Sequence, residues 1–149
     1  MSKRVLVPSL IGAVALGAVA AGGYAMASAT TEPSVKNGSA HYAAPSPGGA
    51  GALTFTADVS DDSGVRGLKV LAWPTSSKLD PTEAEMRSAE AATCRSTSDT
   101  TSRCTYTLKV TQQEAAGLAE GVWDVSALAT AKDGGTKFVP RAATFTVTR

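Results

Sequence analysis

Three carboxylates crowd into one short stretch of this 149-residue chain, Asp58-Val59-Ser60-Asp61-Asp62-Ser63-Gly64. Clustered carboxylates beside backbone carbonyls suit a hard cation such as calcium. Asp133, in Lys132-Asp133-Gly134-Gly135, would add a fourth if the two turns met. The spacing of Asp58, Asp61 and Asp62 does not follow a known calcium loop, however. Asp and Ser side chains also bond nearby amides in tight turns, and Gly supplies positive φ there. A turn between two apolar stretches accounts for every residue, so a turn is the expectation and no metal is expected.

Other chemistry is thinly supplied. His41 is the one histidine, and Cys94 and Cys104 are the two cysteines. Two cysteines and one distant histidine do not complete a tetrahedral zinc site. A Ser/His/Asp or Cys/His catalyst would need His41, which falls in an expected edge strand. Ser-x-x-Lys is absent, and no Gly-rich loop follows a strand to open a helix. Glu83, Glu85 and Glu90, beside Arg87, read as the solvated face of a helix. Neither an enzyme nor a cofactor is expected. Trp73 and Leu71 fall on the outward phase of their strand. Either the following helix covers them, or they form an exposed platform for a sugar ring or a protein partner.

These residues must be carried somewhere, and the front of the chain gives the address. Lys3 and Arg4 precede an uncharged, Ala-, Val-, Leu- and Gly-rich run over 5–29 that ends in the small-x-small sites Ala25-Met26-Ala27 and Ala27-Ser28-Ala29. That order marks a secretory signal peptide, 1–29, cleaved after Ala27 or Ala29. The alternative is an uncleaved anchor holding the protein at the surface. Of 14 basic residues two leave with the signal, so the remainder carries 12 against 13 acidic, a net charge of −1. Such a near-neutral chain has no basic footprint for nucleic acid and no polybasic patch for anionic membranes. In an exported chain the even cysteine count reads as a Cys94–Cys104 disulfide.

The rest is one domain in length. Residues 30–39 read as a polar linker, with Pro33, Asn37 and Gly38, and a chance glycosylation pattern at Asn37-Gly38-Ser39. Residues 45–51 read as a Pro/Gly loop. Between the breaks, period-two alternation runs through Leu53, Phe55, Ala57 and Val59. It recurs through Tyr106, Leu108 and Val110, through Trp123, Val125, Ala127 and Ala129, and through Ala143, Phe145 and Val147. Residues 65–73 are a further strand, with short ones at 40–44 and 136–139. Outward threonines fit a solvated antiparallel face. Asp80-Pro81-Thr82-Glu83 predicts a capped helix over 81–92, and Thr111-Gln112-Gln113-Glu114 a second, ending near Ala119. The expected fold is an all-β, immunoglobulin-like antiparallel β-sandwich over 40–149 with two short helical insertions.

The segments "FTADVSDDSGVRGLKVLAWP" and "GVWDVSALATAKDGG", with the capped insert and the cysteine loop between them, resemble a family of small secreted actinobacterial proteins built on a domain of unknown function. More broadly they resemble bacterial immunoglobulin-like domains. The resemblance implies the sandwich and the extracellular address, and it brings no catalytic or binding residues. The expected function is a secreted, non-enzymatic, monomeric binding module, extracellular or at the cell envelope. Its expected partner is cell-wall polysaccharide or an extracellular protein. The rival expectation is a protease inhibitor whose 96–103 loop presents Arg95 or Arg103.

Overall fold

The computed structural model of the protein describes residues 30–149. The expected signal peptide, with Ala27 and Ala29, lies outside the described residues. Among the described residues eight antiparallel strands form two sheets. The first has the order β1-β2-β6-β5: β1 is Ser34–Ala43, β2 Gly51–Ser60, β6 Thr101–Val110 and β5 Thr93–Ser96. The second has the order β4-β3-β7-β8: β4 is Glu90–Ala91, β3 Val65–Pro74, β7 Gly121–Ala131 and β8 Thr136–Val147. These orders correspond to the ABED and CFG sheets of an immunoglobulin sandwich, with β4 as an extra strand beside C.

The period-two alternation sets which side chains meet between the sheets. Leu53, Phe55, Ala57 and Val59 of β2 face Val125, Ala127 and Ala129 of β7 across the core. Leu68 and Val70, Cys104, Tyr106 and Leu108, and Trp123, Phe145 and Val147 fill the rest. The indole of Trp123 lies 5.9 Å from the Phe145 ring, within the range for a favourable tilted aromatic pair.

Several sequence expectations change. First, β1 begins at Ser34, inside the segment read as linker. The Asn37-Gly38 dipeptide that suggested a linker is a bulge, where pairing with β2 slips between Lys36 and Ser39. Asn37 takes the left-handed conformation (φ 56°), which Asn tolerates better than most residues. A side chain at Gly38 would run into the carbonyl oxygen of Ala142, so β1 and β8 close this side of the sandwich at backbone distance.

Second, the helix expected over 81–92 shrinks to α1, Glu83–Met86. The capping box is made by Thr82 and Glu85, not by Asp80 and Glu83. A short helix has an unfavourable nucleus and must be held by packing, and only Met86 buries a large side chain here. Residues 90 and 91 pair instead with Val70 and Lys69, where the edge of β3 supplies ladder hydrogen bonds. Third, 136–147 is one strand, irregular around Pro140. The second helix, α2, is Gln112–Ala116, with the expected Thr111–Glu114 box, and it ends earlier than expected at Gly117.

Candidate functional site

The two acidic turns do meet. Asp61 Oδ1 accepts from the amide and hydroxyl of Ser63 (2.9 and 2.6 Å), and its Oδ2 accepts from the Thr31 hydroxyl at 2.9 Å. Asp133 Oδ2 accepts from the Thr31 amide (3.1 Å), and Oδ1 from the Gly135 amide (2.9 Å). The Asp133 amide in turn donates to Ser63 Oγ at 3.1 Å. Every carboxylate oxygen of the pair thus faces an N–H or O–H donor rather than joining an oxygen cage for a cation. The Ser63 hydroxyl and amide, with the Thr31 hydroxyl, hold the Asp61 carboxyl below the usual range.

The other two candidate ligands stand apart. Asp58 is on the outer face of β2, where it accepts from Asn37 Nδ2 (2.9 Å) and Arg103 Nη1 (3.2 Å). Asp62 is exposed in the turn. Among the described residues no three metal-ligating side chains come together. The 58–64 stretch is the tight turn between β2 and β3, with Gly64 at φ 95°. It also has a task the sequence did not show, which is to fasten residues 31–33 to the end of the sandwich, with Pro33 fully buried.

Trp73 is not a platform. It is 6% exposed, and its Nε1 donates to Ser126 Oγ at 2.9 Å; that hydroxyl donates onward to the Pro140 carbonyl at 2.7 Å. The segment from a single 3₁₀ turn at Thr75–Ser77 through α1 packs over β3 and β7, with Met86 fully buried. Leu71 is half-buried on the same face. The cover wins because an exposed indole beside Leu71 would leave a large apolar patch in water.

The cysteines pair as expected, across β5 and β6, and directly opposite each other in register. That places Arg95 opposite Arg103, in the stem of the hairpin and not in its loop. The tip is residues 97–100, where the amides of Thr97 and Ser98 donate to the Thr101 carbonyl and Ser98 Oγ takes the amides of Thr100 and Thr101. A protease needs its target residue in an accessible extended loop. Here both arginines lie within a paired ladder, so the hairpin does not offer them that way.

The same register builds the feature that stands out on this side. Glu90, Ala91, Thr93, Arg95, Arg103, Thr105, Tyr106 and Thr107 line an open groove of about 680 Å³ where the chain crosses from β4 to β5. Two arginines directly opposite repel each other. Asp58, reaching from β2, offsets Arg103, while Arg95 has no ion pair among the described residues. On the other wall the Tyr106 hydroxyl donates to Glu90 Oε2 at 2.6 Å. The groove therefore offers guanidinium and hydroxyl groups on the stapled β5–β6 hairpin and the Glu90 carboxylate on β4, which suits recognition of a polar ligand. His41 stands on β1, at the far edge of the same sheet.

From alternation and caps alone these residues fall in separate places: Arg95 and Arg103 in a loop, Glu90 on a helix, Tyr106 in the core. One signal was available. A short disulfide loop between two strands puts the cysteines opposite each other, and hence the residues next inside them too.

Among the described residues no helix is long and apolar enough to cross a membrane. Comparison with curated proteins and with solved structures found no match. A family model does match, over residues 35–129, which takes in β1 through most of β7 and the whole groove. The chain accordingly belongs to a family of unknown function, DUF5707.

Proposed function

We propose that this protein is an exported, non-enzymatic binding module that acts as a monomer, outside the cytoplasm or at the cell envelope. The basic start, the uncharged run and the small-residue exit at Ala27 and Ala29 support export. A Cys94–Cys104 disulfide fits an oxidising compartment. The observation that carries the binding role is the groove. Its rim holds a like-charge pair, Arg95 against Arg103, of which only Arg103 has an ion pair among the described residues, with Asp58. A like-charge pair at a stapled, concave surface is a cost to the fold that a ligand would relieve. Wall polysaccharide and extracellular protein are the partners in view.

The test is co-sedimentation of the exported protein with isolated cell walls and insoluble polysaccharides, and a pull-down from culture medium, with Arg95→Ala alongside. Arg95 is exposed and outside the core, and its removal relieves the repulsion with Arg103, so the variant should melt no lower than the wild type. Retention of the wild type and loss by the variant is the expected result. Equal behaviour of the two would remove the groove as the site, and no retention in either assay would remove the binding role. Intact mass of the exported protein should begin at Ser28 or Thr30; a mass that includes Met1 would overturn processing.

A further inference from the structure

The groove continues along an unpaired strand edge. β6 pairs with β2 along its whole length, Thr101 to Val110. On its other side β5 covers only Ser102 to Thr105. Beyond Thr105 the chain of β5 turns away toward β4, and α2 begins at Gln112.

The phase of that edge follows from two observations. In an antiparallel pair, residues alternate between close pairs without mutual hydrogen bonds and wider pairs that exchange two. The Cα atoms of Cys94 and Cys104 are 4.0 Å apart, so they are a close pair. At the hairpin end the Thr97 amide donates to the Thr101 carbonyl (2.9 Å), which makes that a hydrogen-bonded pair. Both place Thr101, Arg103 and Thr105 with their N–H and C=O toward β5. The next residues in phase are Thr107 and Lys109. Their N–H and C=O groups point out of the sheet toward the groove side, and among the described residues no strand pairs them there. Both side chains are exposed on the outer face.

We propose that this edge binds an extended acidic peptide, which adds as a fifth strand in line with β5 and exchanges four backbone hydrogen bonds with Thr107 and Lys109. The inference rests on the reading of the protein as a binding module and names the class of partner. Slot length selects a peptide over a second copy. Between the row of Thr93 and the start of α2 there is room for about five residues. A second β6 would carry its own α2 into the row that Thr93 already fills. Charge selects the peptide's sign. Arg95 and Lys109 lie on this outer face without ion pairs among the described residues, and Asp58 offsets only Arg103. A carboxylate on the peptide residue opposite Lys109 would pair with it directly. The alternate residues point inward beside Leu108 and suit small apolar side chains.

Amide hydrogen exchange by NMR on the exported protein tests this. The probe is acetyl-Val-Glu-Val-Glu-Ala-amide, with acetyl-Val-Lys-Val-Lys-Ala-amide as its charge-reversed control. The acidic peptide should slow exchange at Thr107 and Lys109 by about tenfold or more at saturation and leave the β1 edge unchanged. Lys109→Glu, which keeps the backbone donor, should weaken the acidic peptide about tenfold and favour the basic one. Lys109→Pro, which removes one donor at an edge where proline is tolerated, should abolish protection at Thr107. No protection by either peptide, or protection elsewhere, would overturn the proposal. So would concentration-dependent protection without peptide, which would make the occupant a second copy. If walls or polysaccharide still retain the protein in that case, the binding role stands and only the peptide fails.

Discussion

The outer faces of the two sheets are built from the same alternation and end in opposite states. On the first sheet the outward residues Thr54, Thr56, Arg103, Thr105, Thr107 and Lys109 meet water, in full or in part. On the second, the outward residues Trp73, Ser126 and Leu128 are buried at 6%, 0% and 2% exposure. Asp124 is buried with them, 3.4 Å from Arg141. The difference lies in what the chain does after β3. The 75–89 segment returns over the second sheet and makes a third layer, while nothing among the described residues crosses the first. A face with a layer over it serves stability; the uncovered face and its margin meet solvent.

The covered face should lose most when its centre is removed. Trp73→Ala should destabilise the fold by about 3–5 kcal/mol, since it opens a large cavity and leaves Ser126 without its indole donor. Thr107→Ala on the open face should change stability by less than about 0.5 kcal/mol. Urea unfolding followed by circular dichroism reads both. Equal costs would mean that the 75–89 layer does not hold the second sheet.

Next in size is the staple on the uncovered side. Replacing both Cys94 and Cys104 by Ser should cost about 3 kcal/mol, the chain-entropy value for so short a loop. The loss should loosen the β5–β6 hairpin before the covered face. Hydrogen exchange should therefore rise first at Thr93 and Arg95, with the Trp73 indole still protected. A uniform rise would show that the hairpin and the covered face unfold as one unit.

A smaller effect tests the covered face from its polar side. Ser126 joins β3 to β8 by accepting from Trp73 and donating to the Pro140 carbonyl. Ser126→Ala strands a buried indole N–H and should cost about 1–3 kcal/mol. A neutral result would mean that water replaces the hydroxyl, and that the layer is wetter than its burial suggests.

How much of this could be read from the chain divides along the same line. Period-two alternation sets side-chain direction, so the core, from Phe55 to Val147, was legible residue by residue. Whether an outward face is dry depends on a segment far along the chain, which alternation does not encode. Alternation alone therefore leaves Trp73 with two fates, and the 75–89 layer decides between them. The misread elements are those where tertiary pairing overrides local preference. Glu90 and Ala91 have helical composition but complete the edge of β3. Asn37-Gly38 has turn composition but is a bulge shaped to the Ala142 carbonyl. The groove was illegible for a related reason: it depends on where β5 stops, and β5 stops because β4 takes the preceding residues into the other sheet.

The smallest effect belongs to the open face and separates two causes acting on one carboxyl. Asp58 titrates below the usual carboxylate range, first because the Asn37 amide donates to it and then because Arg103 stands beside it. A carboxyl whose folded pKa is depressed stabilises the fold above its unfolded value, about 3.9, and loses that contribution as the pH falls through the folded value. Asp58 therefore contributes its full stabilisation near neutrality, without pH dependence there, and that contribution is lost on the acid limb of the stability curve, below about pH 4. Asn37→Gly keeps the left-handed backbone unstrained while it removes the amide. It should raise the Asp58 pKa, read by NMR of the carboxyl carbon, more than Arg103→Ala does. Added salt should weaken the Arg103 contribution and spare that of Asn37, because an exposed ion pair is screened and a fixed short hydrogen bond is not. If Arg103→Ala gives the larger shift, the guanidinium is committed to Asp58 rather than to the groove, and Arg95 with Lys109 would carry the basic character of that edge alone.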